Sequence, residues 1–117
     1  FEKDALTDKP ARFFVTEIIR EKILLYYQKE IPYSVEVVVE AFREEEARIH
    51  IQALIIVERD SQKGIIIGHK GSRLREIGTA ARLQINRLLG TPVHLSLHVK
   101  VLREWQRDTK YLNRLGF

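Results

Sequence analysis

The chain has 117 residues, 44% hydrophobic and 31% charged, which is one domain able to bury a core and not a disordered segment. It holds no cysteine, so disulfide scaffolds, thiolate metal sites and cysteine nucleophiles are excluded, and no apolar run nears the roughly 18–20 residues of a membrane span. Net charge is +4, and the missing cysteines, with no signal pattern at Phe1-Glu2-Lys3-Asp4, fit a cytoplasmic protein.

Residues 1–9 are polar and aperiodic. Thr7 or Asp8 can cap a helix that has Pro10 in its first turn. Phe14, Ile18 and Leu25, with Val15, Ile19, Ile23 and Tyr26, recur at helical spacing, and Arg12, Thr16, Arg20 and Glu21 fall largely opposite. An amphipathic helix from about residue 10 to about 29 follows, ended by Ile31-Pro32. From Tyr33 the period becomes two. Val35, Val37, Val39 and Ala41 share one strand face; Glu36, Val38, Glu40 and Phe42 share the other. Glu44-Glu45-Glu46 reads as a hairpin loop, because adjacent carboxylates repel and stay in water. Ile49, Ile51, Ala53, Ile55 and Val57 then mark a second, antiparallel strand, apolar on both faces in its later half, where it must be covered twice or pair centrally.

Asp60 or Ser61 can cap a short helix, Gln62 to Ile67, ending at Gly68. Ser72 is a second candidate cap. Leu74, Ile77, Ala81, Ile85 and Leu88 carry the next helix to a closing glycine, Gly90. Pro92 opens a third strand, with Val93, Leu95, Leu97, Val99 and Val101 facing in. The tail has Trp105 as an apolar anchor and Asp108 as cap of a short helix ending near Gly116. Two helices between strands two and three suit a right-handed parallel crossover. The fold class is therefore α+β: a mixed three-stranded sheet with helices packed on one face and a short helical tail.

The chemistry concentrates in Gly64-Ile65-Ile66-Ile67-Gly68-His69-Lys70-Gly71-Ser72. Glycine at 68 and 71 lets a sugar-phosphate chain approach the backbone. The amides of His69 to Ser72 open a helix, whose N-terminus attracts phosphate oxygens. Ile65, Ile66 and Ile67 offer apolar surface for bases, a combination suited to single-stranded nucleic acid. Between Arg59 and Arg75 the basic residues Arg59, Lys63, Lys70, Arg73 and Arg75 stand against Asp60 alone, so this segment carries the whole net charge. On spacing alone a Gly-x-x-Gly fits a bare helix-turn-helix bend as well as a phosphate cradle; the flanking helices, preceding strand and local charge favour the cradle. The contact set is then Lys63, Ile66, Ile67, Gly68, His69, Lys70, Gly71, Ser72, Arg73 and Arg75. Valine at Gly71 is expected to block phosphate with little loss of stability, and valine at Gly68 to damage both.

Other chemistries fit less well. Neither Gly68 nor Gly71 is followed by Lys-Ser or Lys-Thr, so no Walker A loop is present, and no Gly-x-Gly-x-x-Gly occurs. His94 and His98 lie on a strand, where four residues span roughly 13 Å, too far for one metal. His50 has no carboxylate cluster around it in sequence. Ser72, His69 and Asp60 make a triad only in imagination, since caps explain Ser72 and Asp60. Tyr26, Tyr27 and Tyr33 read as packing residues. No catalytic residue, metal or cofactor is expected in this chain.

The element order with its Gly-x-x-Gly resembles the type II K-homology (KH) domain. Leu6-Thr7-Asp8-Lys9-Pro10, Glu17-Ile18-Ile19-Arg20-Glu21-Lys22 and Val57-Glu58-Arg59-Asp60-Ser61-Gln62-Lys63-Gly64-Ile65-Ile66-Ile67-Gly68 are similar to the C-terminal domain of the Era family of GTPases. So are Val99-Lys100-Val101, Trp105 and Leu115-Gly116-Phe117. The resemblance implies a linker from a missing N-terminal GTPase domain at 1–10, an RNA-binding KH domain at 11–102 and a tail at 103–117. It implies single-stranded RNA binding at the 3′ end of the small-subunit ribosomal RNA, in maturation of the small ribosomal subunit, with Gly68-His69-Lys70-Gly71 clamping about four nucleotides. GTP and Mg would belong to the missing domain. That domain is an implied partner, as is the subunit; a monomer and peripheral membrane association of the parent are implied too. Two positions depart from relatives: His69 in the loop, and His98 where several have Trp. The alternative is a KH-fold protein-interaction module contacting the GTPase domain or a ribosomal protein.

Overall fold

The computed structural model describes residues 3–27 and 35–103, with side chains from residue 10 onward. Helix α1 (Lys3–Tyr26) is followed by strands β1 (Glu36–Glu44) and β2 (Ile49–Val57), helices α2 (Asp60–Ile67) and α3 (Ser72–Leu89), and strand β3 (Val93–Val101). The sheet order is β1-β2-β3. β1 runs antiparallel to β2, and β2 parallel to β3 with Ile49 opposite Val93 and Val57 opposite Val101. The mixed sheet and the two-helix crossover are as the sequence predicts. The Ile31-Pro32 stop, Tyr33, Trp105 and the Asp108 cap lie outside the described residues.

The central position of β2 explains its composition. Its core face packs Ile49, Ile51, Ala53, Ile55 and Val57 against Val15, Ile19 and Ile23 of α1, Ile66 of α2 and Ile77, Ala81 and Ile85 of α3. On the opposite face Leu54 and Ile56 are buried with Val38 and Leu102 against them. The amide of Leu102 donates to the carbonyl of Val57 at 2.8 Å, turning the chain across that end of the sheet.

Four expectations are corrected. The first helix begins at Lys3, not near Pro10, so Pro10 lies inside it. A proline there removes one amide donor and sets its ring against the carbonyl of the preceding turn, a cost of about 3 kcal/mol to that part of the helix. Its buried stripe is Ala11, Val15, Ile18, Ile19, Ile23 and then Tyr27, while Phe14, Leu25 and Tyr26 are 48%, 56% and 41% exposed. Apolar residues ring this helix, and the four-residue ladder from Ala11 to Tyr27 wins because it faces the sheet. Arg20 flanks that ladder, donating to the Val35 carbonyl at 3.0 Å and pairing with Glu36, which ties α1 to β1.

In β1 the pairing shifts between Val39 and Ala41, leaving a bulge at Glu40. A bulge reverses the facing of all that follows. Phe42, expected on the outer face, therefore joins the core cluster opposite Ile51. Finally, α2 starts at Asp60 with Arg59 in the N-cap position, and neither Asp60 nor Ser61 caps it. Gln62 does that work from within: its Oε1 accepts the amides of Glu58 and Arg59, both at 3.0 Å. Those bonds explain a glutamine only 6% exposed.

Candidate nucleic-acid interface

The bend between α2 and α3 is the most unusual backbone among the described residues. Gly68 has φ 74° and ψ −177°, Lys70 φ 53° and ψ 30°, and Gly71 φ 77° and ψ 11°. Three positive-φ residues within four cost little only where glycine supplies them. Lys70 is not glycine, and a left-handed L-residue costs roughly 1–2 kcal/mol. His69 to Gly71 form a single turn of 3-10 helix, and Gly71, not Ser72, is the N-cap of α3. Ser72 has helical angles, φ −61° and ψ −42°, and is the first helical residue.

Both glycines have local reasons. A Cβ at Gly68 would lie 2.8 Å from both Cβ and Cγ of Arg73, closer than packed atoms come. A Cβ at Gly71 would lie 3.3 Å from Nη1 of Arg75, the far end of a flexible side chain. Gly64 has no such reason: nothing lies within 4 Å of a Cβ there. An interior helix glycine costs roughly 0.5–1 kcal/mol relative to alanine. Gly64→Ala is therefore expected to raise stability by about that amount, read as a higher melting temperature. A fall would mean that the glycine is used within the fold.

The predicted contact residues divide. His69 and Lys70 are exposed at the apex, and Lys63, Ile67, Gly68, Gly71 and Ser72 are half-buried around it. Ile67 stands outside the core cluster, whereas Ile65 packs partly against it. Ile66 is 0% exposed and belongs to the core, so it offers no surface to a base. The loop amides also divide. Those of Gly71 and Ser72 donate to the carbonyls of Gly68 and His69, so they are not open to phosphate as expected.

Arg73 is half-buried and turns toward the protein; Arg75 is exposed, but one of its nitrogens is engaged by the loop backbone. The Arg73 guanidinium carbon lies 5.1 Å from the centroid of the Tyr27 ring, in cation–π range. Arg75 Nη1 donates to the Lys70 carbonyl at 2.9 Å. Tyr27, read from the sequence only as a packing residue, is 1% exposed and donates its hydroxyl to the Ile66 carbonyl at 2.6 Å. Its role had one readable signal, its four-residue spacing from Ile23.

Elsewhere the surface is less organised. His50 pairs with Glu45 at 2.9 Å on the sheet's outer face, with the His94 ring 5.5 Å away. Among the described residues no cluster of three His, Cys, Asp or Glu could hold a metal, and no helix is long and apolar enough to cross a membrane.

A mixed sheet with a two-helix crossover, broken by an exposed Gly-x-x-Gly turn, is the architecture of a type II KH domain. The KH domain family matches residues 30–106, and the chain belongs to that family. Within it, the chain is similar to the GTPase Era of Syntrophus aciditrophicus, 52% identical over 119 residues that cover 100% of this chain and 39% of that protein. It also superposes on Aquifex aeolicus Era bound to GDP and AlF4−, with TM-score 0.82 and 40% identity, over 93% of this chain and 37% of the other. Era in complex with MgGDPNP and nucleotides 1506–1542 of 16S ribosomal RNA matches with TM-score 0.83 and 39% identity, again over 93% and 37%. The chain thus spans about two fifths of the length of the relatives it matches, 39% of the first named.

Proposed function

We propose that this chain is the RNA-binding KH module of an Era-type GTPase. It takes single-stranded small-subunit ribosomal RNA near its 3′ end during small-subunit maturation. The observation that carries this reading is the exposed Gly68-His69-Lys70-Gly71 turn, at the centre of the segment that holds the whole net charge of +4. The relative described with 16S ribosomal RNA supports it. Lys63 and Lys70 supply charge, His69 a ring donor, Gly68, Gly71 and Ser72 a close backbone, and Ile67 an apolar contact for a base.

On this reading the module itself hydrolyses nothing. GTP and Mg belong to the GTPase domain of a longer cytoplasmic, monomeric parent with peripheral membrane association. Residues 11–102 are the KH body, 1–10 lead into it and 103–117 form the tail.

The second reading, a protein-interaction module, has its own observation. Phe13, Phe14, Leu24 and Leu25 on α1 and Leu83 and Leu88 on α3 are all 44% exposed or more, and Phe14 and Leu88 line one shallow groove between the two helices. A salt titration separates the two. Binding of a fluorescent pyrimidine-rich single strand should weaken with salt at a log–log slope of roughly −2 to −3, for three or four phosphate contacts at about −0.7 each. A slope near zero, or no binding, favours the protein-interaction module.

A further inference from the structure

We propose that Arg75, together with Tyr27 and Arg73, positions the loop and does not itself contact phosphate. This deepens the RNA-binding reading and rests on it. A basic residue beside a phosphate-binding turn would ordinarily be assigned to the phosphate. The geometry assigns these two arginines differently.

Arg75 lies on the first turn of α3 and reaches back to the Lys70 carbonyl, at 2.9 Å. Lys70 is the one non-glycine residue with positive φ among the described residues. Its carbonyl orientation is therefore a conformation that the chain disfavours and something must hold. A charged donor on that carbonyl holds it from the α3 side.

The α2 side is held through Tyr27. The last carbonyls of a helix have no partner within it. The Tyr27 hydroxyl takes one of them, that of Ile66, from a buried position at the end of α1. The same ring faces the Arg73 guanidinium, and the Arg73 stem runs against Gly68, where a Cβ would sit 2.8 Å from its Cβ and Cγ. One tyrosine thus links the end of α2, the first loop glycine and the start of α3. Arg75 is itself exposed, but its Nη1 is engaged by the Lys70 carbonyl; His69 and Lys70, exposed at the apex between these braces, are the imidazole and the ammonium set to meet a ligand.

A positioning residue and a phosphate contact differ in their salt dependence. Losing a phosphate contact lowers affinity and makes the slope shallower by about 0.7. Losing a brace lowers affinity at every salt concentration and leaves the slope as it was. Arg75→Ala and Tyr27→Phe are therefore expected to weaken binding of the labelled single strand by about tenfold, on lines parallel to the parent's. Lys70→Ala is expected to flatten the slope.

An RNA-free measurement accompanies these. The Gly71 and Ser72 amides, bonded within the turn, should exchange with solvent about fivefold faster or more in Arg75→Ala, while core amides keep the parent rate. A slope shallower by about 0.7 in Arg75→Ala makes Arg75 a phosphate contact and overturns the proposal. Unchanged affinity, or unchanged exchange at Gly71 and Ser72, overturns it as well. If the parent binds no RNA, the RNA-binding reading fails, and amide exchange alone still decides whether Arg75 holds the turn.

Discussion

A chain carrying Asp at both 69 and 70 is expected to lose RNA affinity by about a hundredfold or more while keeping its melting temperature. Each hydrogen bond to a charged group is worth about 1.5–3 kcal/mol, so two lost contacts alone reach that figure. The new carboxylates add repulsion. Stability is spared for two reasons. Both side chains are exposed, and exposed substitutions usually fall within about 0.5 kcal/mol. Lys70 also occupies the left-handed region, φ 53°, where Asp and Asn are among the better tolerated residues. Anisotropy with a labelled single strand, alongside circular dichroism melts, checks both halves. Parent-like affinity in a folded double variant would remove the loop from the interface.

How far the sequence reveals this site depends on whether a residue type has an unambiguous place. Strands alternate, so Val93 to Val101 and Ile49 to Val57 announce their faces directly. The parallel pairing follows from the two helices between them. The bulge at Glu40 is visible only as a missed beat, with Val35, Val37 and Val39 followed by Phe42, and a single missed beat also fits an exposed phenylalanine. Helix α1 is ringed by apolar residues, and its sequence leaves open which stripe meets the sheet.

The loop shows the same division. Glycines at 68 and 71 mark a turn by type. In the run Ile65-Ile66-Ile67 no periodicity separates the buried residue from its neighbours; only the packing of α2 against the sheet and α3 puts Ile66 inside. The arginines were the least legible. Position on α3 places Arg73 and Arg75 beside the loop, but a long side chain can turn either outward or back. Tyr27, 39 positions before Ile66 in their hydrogen bond and just past the end of α1, is what turns Arg73 back.

The two loop glycines separate strain from ligand contact. Gly68→Ala meets two penalties: φ 74° with ψ −177° is essentially glycine-only, and its Cβ would overlap the Arg73 stem at 2.8 Å. About 3 kcal/mol or more is expected, a fall of roughly 10 °C or more in melting temperature. Gly71→Ala meets only the first kind of penalty. Its φ 77° and ψ 11° are ordinary left-handed angles, costing about 1–2 kcal/mol, and Arg75 Nη1 at 3.3 Å must give way, which loosens its bond to the Lys70 carbonyl. The strain at Gly71 also corrects the expectation that valine there would leave stability nearly untouched; alanine is the cleaner probe. Measured well below both melting temperatures, Gly71→Ala should bind RNA markedly more weakly than Arg75→Ala, which loosens the same bond without adding a methyl where a phosphate meets the backbone. A purely structural turn predicts no such difference, a folded Gly71→Ala with the affinity of Arg75→Ala. That result would leave the charges of Lys63 and Lys70, with the His69 ring as a donor, to hold the RNA with no close approach to the main chain.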